Sequence, residues 1–139
     1  MVIDSCTYFG SWPLWEIKTR TAADYIALLD KYEIDKALTL STRGIFYDAR
    51  QGNDELADLM GAYPDRVVGI AAMDPRSGAA ALEELKRRMD QGMRGIALFP
   101  LYHQYFLNDE TALDPILSQA VECGLPVLIS TRIIANWSL

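Results

Sequence analysis

Cys6 and His103, the only histidine in the chain, are the residue types best suited to covalent or proton-transfer chemistry. Cys6 lies in Val2-Ile3-Asp4-Ser5-Cys6-Thr7-Tyr8-Phe9-Gly10, an apolar run that turns polar at its tip. A thiol there could be a nucleophile or a metal ligand. The plainer reading is a small buried residue, because unpaired cysteine is often buried and inert. A nucleophile needs a base, and His103 is the imidazole on offer. It lies in Pro100-Leu101-Tyr102-His103-Gln104-Tyr105-Phe106, where it could move a proton, hydrogen-bond a substrate, or pack among aromatics. Arg43 and Arg132 each follow an apolar run. They are natural forks for a carboxylate, with surface ion pairing as the structural alternative. Tyr8 and Tyr102 complete the expected substrate contacts. Trp12, Trp15, Phe46 and Trp137 could line a mouth, form a partner surface, or pack locally. Asp4 reads as a strand-end residue that fixes the adjoining loop.

The elements that must position these residues repeat with a period of roughly 30 residues, the size of a βα unit. Apolar runs at Val2–Cys6, Lys36–Ser41, Val67–Met73, Gly95–Phe99 and Pro126–Thr131 read as strands. They are continuous rather than alternating, as in parallel strands buried on both faces. Amphipathic helices fill the gaps. Ala22, Ile26 and Leu29 share one face behind Thr21 as N-cap, with Asp24 three residues on. Leu56, Leu59, Met60 and Tyr63 share another, ended by Pro64. Leu82, Leu85 and Met89 stop at Gly92, and Leu113, Ile116, Leu117, Ala120 and Val121 stop at Gly124. Lys86-Arg87-Arg88 and Glu83-Glu84 read as solvated helix faces.

Five such units imply a parallel sheet with right-handed crossovers. A flavodoxin-like sheet normally needs a fifth covering helix, for which the residues after Thr131 are too few. The remaining expectation is an α/β fold: a partial TIM (β/α)8-type barrel, about five βα units in one domain over residues 1–139. Its strand C-terminal ends form the mouth that carries Cys6, Tyr8, Arg43, Tyr102, His103 and Arg132.

Composition narrows the partners. The net charge of −6 argues against a nucleic-acid surface. No apolar run approaches the ~20 residues that span a bilayer. Met1 leads directly into a strand, without a secretory leader. Cys6 and Cys123 lack metal-pair spacing, so a reducing, cytoplasmic setting is expected. Glycine-rich nucleotide cradles and the Gly-x-Ser-x-Gly elbow are missing from the sequence.

The sequence resembles the amidohydrolase superfamily, in its amidohydrolase family 2 branch. The frame runs through Asp4-Ser5-Cys6-Thr7-Tyr8-Phe9-Gly10, Gly52-Asn53-Asp54-Glu55-Leu56 and Tyr63-Pro64-Asp65-Arg66-Val67-Val68-Gly69. It continues in Asp74-Pro75-Arg76, Arg94-Gly95-Ile96-Ala97-Leu98 and Gly124-Leu125-Pro126-Val127-Leu128-Ile129. The resemblance covers the N-terminal part of a full family member. It implies a metal-dependent barrel that hydrolyses or decarboxylates a small carboxylated or carbonyl compound. It also implies metal-binding histidines on the first strand and at the end of the fifth. Here Cys6 and Tyr8 replace the first pair, and Ser130 stands at the third position. A zinc site needs about three or four converging donors. The expectation is therefore no metal of the chain's own. A divalent metal such as zinc would require ligands from another chain or further sequence.

Two classes of function follow. One is a degenerate, metal-free amidohydrolase-like enzyme using Cys6, His103, Tyr8 and the two arginines on a small molecule. The other is a non-catalytic binding or structural subunit that completes its barrel as a homo-oligomer or with a partner chain. An open sheet edge invites such pairing.

Overall fold

The computed structural model describes residues 1–13, 16 and 21–131. Trp15, Arg132 and Trp137 therefore lie outside the described residues. Among the described residues, strands and helices follow in the order β1 (Ile3–Phe9), α1 (Ala22–Lys31), β2 (Lys36–Ser41), α2 (Thr42–Phe46), α3 (Ala49–Ala62), β3 (Val67–Gly69) and β4 (Ala71–Met73). After a 3₁₀ turn at Pro75–Ser77 come α4 (Ala79–Asp90), β5 (Ile96–Leu98), α5 (Pro100–His103), α6 (Glu110–Glu122) and β6 (Val127–Ile129).

All pairings are parallel, in the order β1-β2-β3 and β4-β5-β6. Only Ile70 separates β3 from β4, so the run Val67–Met73 is one strand whose first half pairs with β2 and second half with β5. The Ile70 N–H donates to Thr39 O and the Ala71 N–H to Gly95 O. Strands thus follow one another across the sheet in chain order. A flavodoxin-like sheet would place the first strand inside, between the second and third. Sequential order is the winding of a (β/α)₈ barrel, and the fold is a partial one.

Alternation along each strand divides the core into two layers. The outer one packs Ala37, Val67, Ala71, Met73, Ile96 and Leu98 against the helices. The inner one gathers Leu40, Ile70, Ala72, Ala97 and Phe99, with Ile45 of α2. The helix signals work as expected. Thr21 and Asp24 form a capping box for α1, and Gly92 and Gly124 take positive φ just beyond α4 and α6.

Three expectations are corrected. β1 runs to Phe9, so Cys6 and Tyr8 lie within the strand rather than at its tip. The stretches after β2 and β5 are not plain loops but contain the short helices α2 and α5. The charged surface of α4 is not all solvated: Arg88 is fully buried and Glu84 nearly so. Arg88 donates to Glu84, Gln91 and the Arg50 carbonyl and pairs with Asp54 at 2.9 Å.

Buried Asn53 on α3 explains why β2 and β4 part company. Its amide donates to Ala72 O at 2.9 Å, and its Oδ1 accepts from the Ala72 N–H at 2.8 Å. The side chain thus takes the place of a neighbouring strand. Asn53→Leu keeps the branched shape but orphans both Ala72 groups, at a cost of about 2–3 kcal/mol. Urea unfolding should show that loss with an unchanged slope.

Candidate functional site

Residues of β1 face the helices or the barrel interior in turn. Thr7 faces outward, since its hydroxyl meets the Tyr25 hydroxyl of α1 at 2.6 Å and donates to Leu38 O at 2.9 Å. Tyr8 pairs across from Leu40, a member of the inner layer, and so faces inward. The register slips between Asp4 and Thr7, leaving Ser5 and Cys6 opposite Leu38 alone. This is a β-bulge, and Asp4 stabilises it by accepting the Cys6 N–H at 3.0 Å. Cys6 emerges exposed beside Tyr8, its Sγ 3.5 Å from the Tyr8 hydroxyl.

From Tyr8 a row of rings crosses the mouth. Tyr8 meets Trp12 edge-on at 5.5 Å, Trp12 meets Phe46 at 5.0 Å, and Phe46 meets Tyr102 at 4.9 Å. Each contact is T-shaped, the arrangement that sets a ring's positive edge on its neighbour's negative face. Phe46 and Tyr102 also pack on the inner layer. Of the expected substrate contacts, Tyr8 and Tyr102 are thus joined in one surface with Cys6 at its end.

His103 and Arg43 stand apart from this surface. His103 is 8% exposed, with Nε2 3.0 Å from Gly44 O and Nδ1 3.3 Å from Met73 O. It makes no hydrogen bond with Cys6. Arg43 turns toward α3, where Nε pairs with Glu55 and Nη1 donates to Gln51. There it lines a cavity of about 590 Å³ with Phe9, Thr42 and Tyr47. Ser130 continues the β6 ladder by donating its N–H to Leu98 O, and it borders a second hollow with Leu101, Tyr105 and Phe106.

A further ion pair, Asp74 with Arg76, lies just after β4. Asp74 caps the 3₁₀ turn and is gripped by Arg76 at 2.8 and 2.9 Å. Burial works to raise the Asp74 carboxyl, but its bonds to Arg76 hold it below the usual carboxylate range.

Of the donors at the expected metal positions, only the Cys6 thiol is a good ligand for a divalent ion such as zinc. A thiol and a phenol share the strand, and a serine follows β6. Among the described residues no three His, Cys, Asp or Glu side chains converge as a metal-holding group. Among the same residues, no helix is long and apolar enough to cross a membrane.

A family profile described as amidohydrolase matches residues 9–135. No curated protein matches the sequence. Among solved structures, the chain is similar to 5-carboxyvanillate decarboxylase from Novosphingobium aromaticivorans, a complex with manganese and 4-hydroxy-3-methoxy-5-nitrobenzoic acid. The identity is 22% and the TM-score 0.78, over 93% of this chain and 49% of that one. 2,6-Dihydroxybenzoate decarboxylase from Rhizobium is 18% identical at a TM-score of 0.72, over 99% of this chain and 53% of that one. 4-Oxalomesaconate hydratase from Rhodopseudomonas palustris is 17% identical at 0.70, over 93% and 52%. The chain thus spans about half the length of these structures.

Proposed function

The chain belongs to the amidohydrolase family, and from that premise we propose that its barrel mouth binds a small carboxylated aromatic or carbonyl compound without a metal held by its own residues. Hydrolysis or decarboxylation of such a compound is the reaction class that descent suggests. Turnover by this chain alone is not expected, since among the described residues no metal-holding group forms and Cys6 Sγ meets the Tyr8 hydroxyl rather than His103. A cytoplasmic setting suits the two free cysteines.

Tyr8 carries this reading. At a position where the family resemblance implies a metal-binding imidazole, it offers a phenol whose ring begins the row through Trp12 and Phe46 to Tyr102. Such a row is a wall against which a planar acid can lie, with Tyr8 and Cys6 as polar contacts at one end. Arg132 is proposed to pair with the carboxylate. Arg43 would have to leave Glu55 to do the same. Among the structural neighbours, one is a complex with a nitrobenzoic acid and another is a 2,6-dihydroxybenzoate decarboxylase, which favours an aromatic acid as the first probe.

Saturation-transfer NMR with 2,6-dihydroxybenzoate tests the proposal. The wild-type chain should bind it, and Phe46→Ala and Arg132→Ala should each weaken binding about tenfold, the equivalent of about 1.4 kcal/mol. No transfer to wild type at millimolar ligand would remove the small-molecule reading.

The open sheet edges support a second reading, a non-catalytic subunit that completes its barrel by self-association. Among the described residues β1 pairs only with β2 and β6 only with β5, and Ile3 and Ile129 are 47% and 42% exposed. Light scattering on a size-exclusion column would find a dimer or larger assembly if this holds, and a monomer if it does not.

A further inference from the structure

His103 faces a hydrogen-bond problem that its surroundings do not solve for a neutral ring. Both ring nitrogens approach backbone carbonyls, Gly44 O of α2 and Met73 O of β4. Carbonyl oxygens only accept, whereas a neutral imidazole has one N–H to donate. The residue is buried, and its ring meets Phe99 of the inner layer edge-on at 5.8 Å. A ring carrying two protons satisfies both carbonyls at once.

We propose that His103 is a positioning residue whose doubly protonated ring clamps α5 to α2 and β4, holding Tyr102 against Phe46 so that the aromatic wall stays closed. The adjacent residue Tyr102 is carried by the same short helix, and Phe46 by the helix whose Gly44 carbonyl the ring binds. Loss of one proton leaves one carbonyl without a donor and frees one side of the clamp.

The charged neighbours fit this assignment. Asp74, just after β4, lies close enough for its negative charge and the ring's positive charge to stabilise each other, and Arg76 keeps it ionised. Tyr105, on the ring's own loop, is pushed up by burial and by Asp74, and so stays neutral. Arg43 on α2 is turned away to Glu55. Across a cavity of about 430 Å³ stand Asp48 and Arg50 of the α3 start, with Glu84 and Arg87 of α4.

The wall is the ligand surface proposed above, but the clamp can be tested without any ligand. Because the chain has one histidine, ¹⁵N-histidine labelling gives a spectrum of His103 alone. Both ring nitrogens should show imidazolium shifts, with both N–H protons slow to exchange. Near-ultraviolet circular dichroism reports whether the wall is closed. His103→Gln, whose amide nitrogen has two donors, should keep the signal. His103→Phe, which has none, should lower it. A single neutral tautomer, or an unchanged signal in His103→Phe, overturns the clamp. If the clamp holds and 2,6-dihydroxybenzoate still fails to bind, the ligand reading falls and the clamp stands.

Discussion

Gly52→Val should leave the chain without a cooperative unfolding transition. A Cβ at Gly52 would lie 2.1 Å from Gly44 N and 2.4 Å from Gly44 Cα. Both are backbone atoms, so no side chain can rotate away. α2 and α3 would have to separate, breaking the contact of Gly44 O with His103 and pulling Asn53 from Ala72. Overpacking usually costs about 1–3 kcal/mol, but a clash with backbone on both sides of a helix crossing should exceed about 4 kcal/mol. That is a large share of a domain's whole stability, about 5–15 kcal/mol. Gly61→Ala on the same helix is the control. Nothing lies within 4 Å of its added Cβ, and stability should rise by about 0.5 kcal/mol from helix propensity. Circular dichroism against urea distinguishes the two. A folded Gly52→Val with a normal midpoint would show that the two helices do not cross so closely.

Arg88→Ala should cost about 3–5 kcal/mol, the usual penalty for breaking a buried ion pair from one side. The guanidinium is fully buried, so its loss empties a side chain's volume and leaves Glu84 only the Asn53 amide and the more distant Arg87. The double change Arg88→Met with Glu84→Leu should recover at least half of that loss, because both charges leave together. Acid should act on the same cluster. Burial works to raise the Asp54 carboxyl, but Arg88, Arg87 and Arg50 together hold it below its ordinary value. A carboxyl lowered by folding adds stability above its unfolded value and loses it as pH falls through the folded one. Asp74 behaves in the same sense. Wild type should therefore weaken below about pH 4, the ordinary carboxylate range, and Arg88→Ala should show a shallower acid arm. An equally steep arm would show that the cluster is not the source.

The barrel winding was legible because it depends on short-range signals. Continuous apolar runs, a Thr21–Asp24 capping box and glycines after helices each act within a few residues. α2 and α5 escaped because five- and four-residue helices have no full period of apolar residues to show. Their stability comes from tertiary partners, Gly52 beneath α2 and the His103 ring between them. Arg88 escaped for a related reason. Charged residues on a helix ordinarily face water, and only the approach of Asp54 and the Arg50 carbonyl from α3 makes burial tolerable. At the mouth, the sequence placed Cys6, Tyr8 and Tyr102 on one rim, but not the rings that link them. Trp12 and Phe46 read from sequence as lining a mouth, forming a partner surface or packing locally, and no local pattern shows that they touch each other.

We propose that this chain, a partial amidohydrolase barrel, carries an aromatic wall on its first strand where the family resemblance implies a cation site. Manganese and zinc titrations followed by isothermal calorimetry, on wild type and Cys6→Ala, test it most directly. The account predicts no stoichiometric site in either protein. One equivalent of metal held by wild type and released by Cys6→Ala would contradict it.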